Sequence, residues 1–264
     1  MTAHSPRTGG QILVDQLVAQ GVERVYCVPG ESYLAALDAL YDAHVGVTVC
    51  RQEAGAAMMA LTVGRLTGRP GVCFVTRGPG ATNASHGVHI AEHDGAPMVL
   101  FIGQVERAMV GRGAFQEMDY RAFFGSTAKW VTEINDAAQI PEVIQRAWHI
   151  AMQGKPGPVV VSLPEDMLTD LAEVPDAQRV EPAPIWPGLT QMAELQKLIW
   201  AAERPIAIVT ETWFAPSIAA VVQSTTSDPR FGQTTYQLHN VQLNEQPSQL
   251  FEPPSNYRVE NSRP

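Results

Sequence analysis

The sequence predicts an α/β fold: a doubly wound parallel sheet with helices on both faces, followed by an incomplete second α/β domain. Two observations carry this expectation. Between Gln11 and Leu163, helical and strand patterns alternate with regular glycine punctuation. Several of the strand patterns are almost purely apolar, as expected when both faces of a sheet are covered. Alternation of this kind favours parallel strands joined by right-handed crossovers.

The elements follow in order. "QILVDQLVAQG" has apolar residues at helical spacing and ends on Gly21, a suitable C-terminal cap. "RVYCV" reads as a strand, "YLAALDALYDA" as a helix and "GVTVC" as a strand. "AGAAMMALTVGRLTG" is a helix rich in small residues, and "GVCFVT" is the next strand. "ATNASHGVHIAEHDG" and "PMVLFIG" repeat the pattern, and "IPEVIQRAWHIAMQG" leads to the strand "GPVVVSLP". The long connection "QVERAMVGRGAFQEMDYRAFFGS" interrupts this rhythm, and loops of that length often serve function. A proline-rich stretch from Ala172 to Leu189 reads as an extended linker. "LTQMAELQKLIWAAERPIAIV" then predicts one more helix and strand. Beyond it the chain is rich in Gln, Ser, Thr, Asn and Pro and shows little periodicity, which predicts poor order.

Composition narrows the function. The chain has 264 residues, 45% of them hydrophobic, and a formal net charge of −9. Its lysines are Lys129, Lys155 and Lys197, so no basic face suits nucleic acid or a membrane surface. "MTAHSPRTGG" lacks the apolar core of a signal peptide, and no apolar run approaches the roughly 20 residues of a membrane helix. Cys27, Cys50 and Cys73 form no CxxC pair and read as reduced thiols, in keeping with a cytoplasmic protein.

In an open parallel sheet, ligands bind beyond the carboxyl ends of the strands. Four segments follow strands directly: "PGES" (Pro29 to Ser32), "RQE" (Arg51 to Glu53), "TRGPGATN" (Thr76 to Asn83) and "GQVER" (Gly103 to Arg107). All four are expected on one edge. "GPGATN" has glycines suited to an anion at a helix N-terminus but lacks the Lys-Ser/Thr of a Walker loop. Asn83 also stands where a dinucleotide fingerprint needs glycine, so a tight strand-to-helix turn is the better reading. Glu53 reads blandly as a first-turn glutamate favoured by the helix dipole. His86, His89 and His93 have helical spacing but no carboxylate or fourth ligand beside them, so no metal site is assigned. No GxSxG marks a serine nucleophile.

Taken together, "VPGES", "RQEAGAAMMALTVGRLTGRPGVCFVTRGPGATN", "GAPMVLFIGQV", "GAFQEMD" and "GKPGPVVVSLPEDM" occur in order and at ordinary spacing. They resemble the N-terminal pyrimidine-binding domain of thiamine-diphosphate-dependent enzymes of the acetolactate synthase type. The resemblance covers roughly Gly9 to Asp170 and fades near Val209.

The resemblance implies a role for Glu53. In that family a glutamate after the second strand shares a proton with N1′ of the cofactor's aminopyrimidine, which activates the thiazolium carbon toward a 2-oxo acid. Such a task favours a desolvated carboxyl, so burial has to oppose the helix dipole at Glu53. Pro29, Gly30, Pro79 and Asn83 match residues that lie against or near the pyrimidine, and Gln116 matches a polar residue that reaches the substrate. Glu31 departs from the small residue common in acetolactate synthases, which suggests a different substrate. Lys155 replaces an arginine that contacts FAD in those synthases. Lysine lacks the planar fork of arginine, which argues against FAD binding.

The resemblance also implies missing parts. In that family magnesium and the diphosphate are held by a second catalytic domain carrying GDG, which occurs nowhere in this sequence. Each site there is shared between subunits, so a homodimer or a partner chain carrying the diphosphate domain is expected. The boundaries that follow are a pyrimidine-binding domain over 9–170, a linker over 171–189, a truncated start of a central domain over 190–212 and a non-matching, poorly ordered tail over 213–264. The chain then reads as a truncated relative, inactive alone. A subunit of a split decarboxylase and a non-catalytic regulatory partner are the alternatives.

Overall fold

The computed structural model describes residues 5–183, 185–202, 207–218, 220–239 and 241. The chain divides into two compact units, Met1–Ile185 and Trp186–Pro264.

The first unit runs β1 (Arg7–Thr8), α1 (Gly9–Ala19), β2 (Arg24–Cys27), α2 (Leu34–Asp42), β3 (Gly46–Val49), α3 (Glu53–Thr67), β4 (Gly71–Thr76) and α4 (Arg77–Asp94). It continues through β5 (Met98–Gln104), α5 (Tyr120–Phe124), β6 (Trp130–Glu133), α6 (Ile140–Met152), β7 (Pro158–Pro164) and β8 (Leu171–Ala172). Six strands form one sheet in the order β3-β2-β4-β5-β7-β6, and every pairing in it is parallel. The winding reverses at β2, with β3 on one side and β4 on the other. That is the switch point where such sheets open a crevice.

The apolar strands split their side chains between two cores. Val72 and Phe74 of β4 join α1, α2 and α6 on one face, while Cys73 and Val75 join α3, α4 and α5 on the other. Val99 and Phe101 of β5 repeat the first pattern, and Leu100 and Ile102 the second. Phe74 and Phe101 stack at 4.7 Å, a pairing worth roughly 0.5–1.5 kcal/mol beyond burial itself. The expected parallel α/β fold with helices on both faces is what the first unit forms.

Local chemistry explains several element ends. Thr8 accepts the N–H of Gln11, and Gln11 accepts the N–H of Thr8, which closes a capping box at the start of α1. The stretch "TRGPGATN", read as a turn before the helix, is already helical from Arg77 onward. Pro79 is tolerated there because the first turn of a helix leaves its N–H groups unpaired in any case.

The expected linker begins as part of this unit. Buried Gln16 donates to Asp176 and accepts the N–H of Ala177, while buried Gln20 donates to Gln178 O and accepts from Val180 N. Val180 is 3% exposed. Two helix glutamines therefore supply the partners that a neighbouring strand would give this extended segment. Arg7, bonded to Asp15 and Asp176, fastens its start.

The second unit holds α7 (Leu189–Ala201) and strands β9 (Val209–Ala215), β10 (Ala220–Asp228) and β11 (Gly232–Gln237). The three strands form an antiparallel sheet in the order β11-β10-β9. The expected helix is α7, and a strand, β9, follows it from Val209. Within the stretch expected to be poorly ordered, β10 and β11 are strands. Val and Thr have high strand propensity, and "DPRFG" supplies a turn between β10 and β11. The rest of the tail, 242–264, lies outside the described residues. Among the described residues no helix is long and apolar enough to cross a membrane.

Candidate active site

The four suspicious segments do share the carboxyl edge of the sheet. β2 runs into Val28, whose N–H donates to Phe74 O at 3.3 Å and whose carbonyl accepts from the Tyr33 hydroxyl. The turn that follows lies on β4. A Cβ at Gly30 would stand 2.3 Å from the Thr76 Cβ, so only glycine fits. Ser32 and Thr76 share a hydroxyl hydrogen bond of 2.6 Å beside it.

β3 delivers Glu53 to the same edge. Cys50 N donates to Cys27 O at 2.7 Å and continues the strand pairing for one more residue. Gln52 is extended and caps α3, its side chain accepting from Gly55 N at 3.1 Å. Glu53 therefore begins the helix, where the dipole favours its negative charge by roughly 0.3–1 kcal/mol. Its Oε2 accepts the side-chain amide of Asn83 at 2.9 Å. A Cβ placed on Gly80 of α4 would lie 3.6 Å from Oε1.

Helix packing fixes this pair. One turn beyond Glu53 and Asn83 stand Ala57 and Gly87, and a Cβ on Gly87 would come within 2.5 Å of the Ala57 Cβ. The two helices approach closely because both residues are small. Glu53 is half-buried, and Pro29, Pro79 and Asn83 are exposed at the rim.

Gln116 reaches the edge through its backbone. Its carbonyl accepts Gly78 N at 3.0 Å, and its φ of 63 lies in the left-handed region. The connection around it is held at several points. Arg107 pairs with Asp166 at 2.8 Å and Asp170 at 2.7 Å, and Glu117 accepts backbone N–H groups from Gly111 and Ala114. These bonds hold the Glu117 carboxyl below its ordinary range. Beside this loop a cavity of about 500 Å³ opens toward Gln104, Glu133 and Ser162.

Arg77 was not singled out from the sequence. It is buried, with 8% of its side chain exposed, and donates to Glu31 and Glu165 at 2.9 Å each. Its φ is 36, a conformation that costs a non-glycine residue of order 1–3 kcal/mol. Its buried Nε has no hydrogen-bond partner among the described residues. The one hint in the sequence was Glu31, an acidic residue in a turn otherwise built of small residues, which does not itself name its partner. Such a carboxylate invites a cation, and Arg77 is the residue at the end of the adjacent strand.

Other candidates do not gather a site. His89 and His93 pack ring to ring at 4.5 Å, and no metal-ligand cluster occurs among the described residues. Lys155 pairs with Glu92 at 3.3 Å on the surface.

A Gly-Thr contact at the switch point, a glutamate opening α3 and an asparagine of α4 beside it thus lie together on the carboxyl edge of a doubly wound α/β sheet. Residues 7–123 match the family described as "Thiamine pyrophosphate enzyme, N-terminal TPP binding domain". Its relatives are acetolactate synthases. The chain is 37% identical over 203 residues to the "Acetolactate synthase" of Bacillus subtilis, covering 76% of this chain and 35% of that protein. It is 40% identical over 159 residues to the "Acetolactate synthase isozyme 2 large subunit" of Escherichia coli, covering 60% and 29%. It is 41% identical over 162 residues to the "Acetolactate synthase catalytic subunit, mitochondrial" of Aspergillus candidus, covering 61% and 23%. The matches thus span about a quarter to a third of these relatives' length.

Proposed function

We propose that the first unit holds the aminopyrimidine half of thiamine diphosphate, with Glu53 as the ring's proton partner, in an enzyme that decarboxylates or joins 2-oxo acids. The Glu53–Asn83 pair on the sheet edge, in a unit that matches the TPP-binding family, is the observation that carries this reading. The crevice suits the ring: Pro29 and Pro79 offer flat apolar surfaces, Gly30 lets its turn lie directly on Thr76, and Glu53 offers a carboxyl that holds or releases a proton. This reading assigns magnesium and the diphosphate to a diphosphate-binding domain carried by a second subunit or a partner chain. When bound, the cofactor supplies the electron sink that decarboxylation and carbon–carbon bond formation need.

Within that assembly Glu53 exchanges a proton with the ring nitrogen, and Asn83 holds the carboxyl in place. Pro29, Gly30 and Pro79 seat the ring. Gln116 faces the substrate side. Glu53 is only half-buried in this unit, so a surface that covers the crevice completes its burial. Lys155, in place of the family's arginine, lacks the planar fork and argues against FAD.

The test is reconstitution. The chain is combined with the diphosphate-binding fragment of an acetolactate synthase, and deuterium exchange at the cofactor's acidic ring carbon is followed by NMR. Glu53→Gln should leave assembly intact and slow that exchange by orders of magnitude. Equal rates for parent and variant would refute the role given to Glu53.

A further inference from the structure

We propose that Arg77 is a positioning residue: its guanidinium clamps the turn after β2 to the exit of β7, and so holds the crevice around Glu53 in one shape. What the crevice binds rests on the function proposed above; the clamp itself rests on geometry alone.

The position is costly in three ways. Arg77 is a non-glycine residue at φ 36, its side chain is 8% exposed, and its Nε has no partner among the described residues. A side chain needed only to fill space at the β4–α4 junction would be small or apolar. A buried, fork-shaped cation is retained where it fixes geometry.

What it joins is specific. One prong holds Glu31, in the turn whose Gly30 lies on Thr76 and whose Ser32 bonds Thr76. The other prong holds Glu165, whose N–H donates to Gln104 O at the end of β5. The next residue, Gly78, ties in the connecting loop through Gln116 O. Gly80 and Asn83, the neighbours of Glu53, follow in the first two turns of the same helix. A shift at Arg77 therefore moves α4 against Glu53. With both prongs taken by carboxylates, the guanidinium does not serve as a receptor for an anionic substrate.

The experiment uses the full chain. Amide hydrogen exchange at Val28, Gly78 and Glu165 is measured in Arg77→Met and Arg77→Lys, together with saturation-transfer contact to millimolar thiamine. Both variants should quicken exchange at these amides at least about tenfold, because local opening becomes easier. Lysine should not restore protection, since one ammonium cannot span two carboxylates as a fork does. Methylguanidinium added to Arg77→Ala should slow exchange again. Thiamine contact should be lost in Arg77→Met and in Glu53→Gln, the latter with exchange unchanged. If the parent showed no thiamine contact, the ring-binding reading would fail while exchange still judged the clamp. Should the Arg77 variants not fold, Glu31→Ala removes one prong from an exposed position and should quicken Val28 while sparing Glu165. Unaltered exchange in the variants that fold, or full protection in Arg77→Lys, would overturn the proposal.

Discussion

Asn83 donates its side-chain amide to the outer oxygen of Glu53 across 2.9 Å, linking the first turn of α3 to the second turn of α4. The bond joins two helices that a sequence separation of 30 residues keeps far apart in the unfolded chain. Replacing Asn83 by aspartate removes the donor and sets two carboxylates face to face. Asn83→Asp should therefore be less stable than the parent at pH 7, by about 1 kcal/mol. Urea unfolding at pH 7 measures it, and a parent-like stability would contradict the assigned bond.

Gly87 gives the same helix pair its close approach. In Gly87→Val the new Cβ would meet the Ala57 Cβ at 2.5 Å and its backbone carbon at 2.9 Å, so the helices must part. Overpacking of this kind costs about 1–3 kcal/mol. Thermal unfolding should show the loss. A parent-like midpoint would mean that α3 and α4 lie farther apart than described.

The three thiols should differ sharply in reactivity. Burial pushes the Cys27 thiol up to about 11, with a smaller contribution from Cys50, and burial also raises Cys73 well above its ordinary value. Cys50 is half-exposed. At pH 8 an alkylating reagent should modify Cys50 in the native chain and leave Cys27 and Cys73 intact until denaturant is added. Mass spectrometry of native and denatured samples reads the order directly, and early labelling of Cys73 would contradict its burial.

The anchor of the loop before α5 should weaken in acid. Partial burial pushes the Asp166 carboxyl up, but hydrogen bonds from the Arg107 side chain and backbone outweigh it, and the net shift is downward. A carboxyl depressed in the folded state contributes stability above its unfolded value, and that contribution disappears as the pH falls through the depressed one. The part of acid unfolding due to this anchor should therefore lie below about pH 4. Asp166→Asn should flatten the stability profile there while lowering stability at neutral pH. A profile parallel to the parent's would separate Asp166 from acid sensitivity.

Much of the sheet was legible because its strands are nearly pure hydrocarbon. "GVCFVT" and "PMVLFIG" admit few readings other than strands covered on both faces. β6 was not, because Trp130–Glu133 is a four-residue edge strand with every residue half-buried, which gives no alternation to detect. The strands after Val209 were missed for a related reason: their threonines and glutamines resemble those of an unstructured tail, and only cross-strand pairing such as Thr225 with Thr235 separates the two. In the candidate site, spacing alone gave Glu53 as an ordinary helix start and "GPGATN" as a tight turn, and only the family resemblance pointed to Glu53, Asn83, Pro29, Gly30 and Pro79 as site residues. Arg77 could not, since its role depends on Glu31 and Glu165, 46 and 88 residues away. The linker's attachment was hidden in Gln16 and Gln20, which look like ordinary helix-surface residues until their amides are found bonded to main chain.

In free solution the two oxygens of a carboxyl group are interchangeable, and a proton on one is equivalent to a proton on the other. The Asn83 amide ends that symmetry at Glu53. A donor aimed at Oε2 marks that oxygen as the acceptor and sets it apart from Oε1, which lies 3.6 Å from where a Cβ on Gly80 would stand. Asparagine thus acts as a compass needle for its neighbour, giving an otherwise two-faced group two unlike sides.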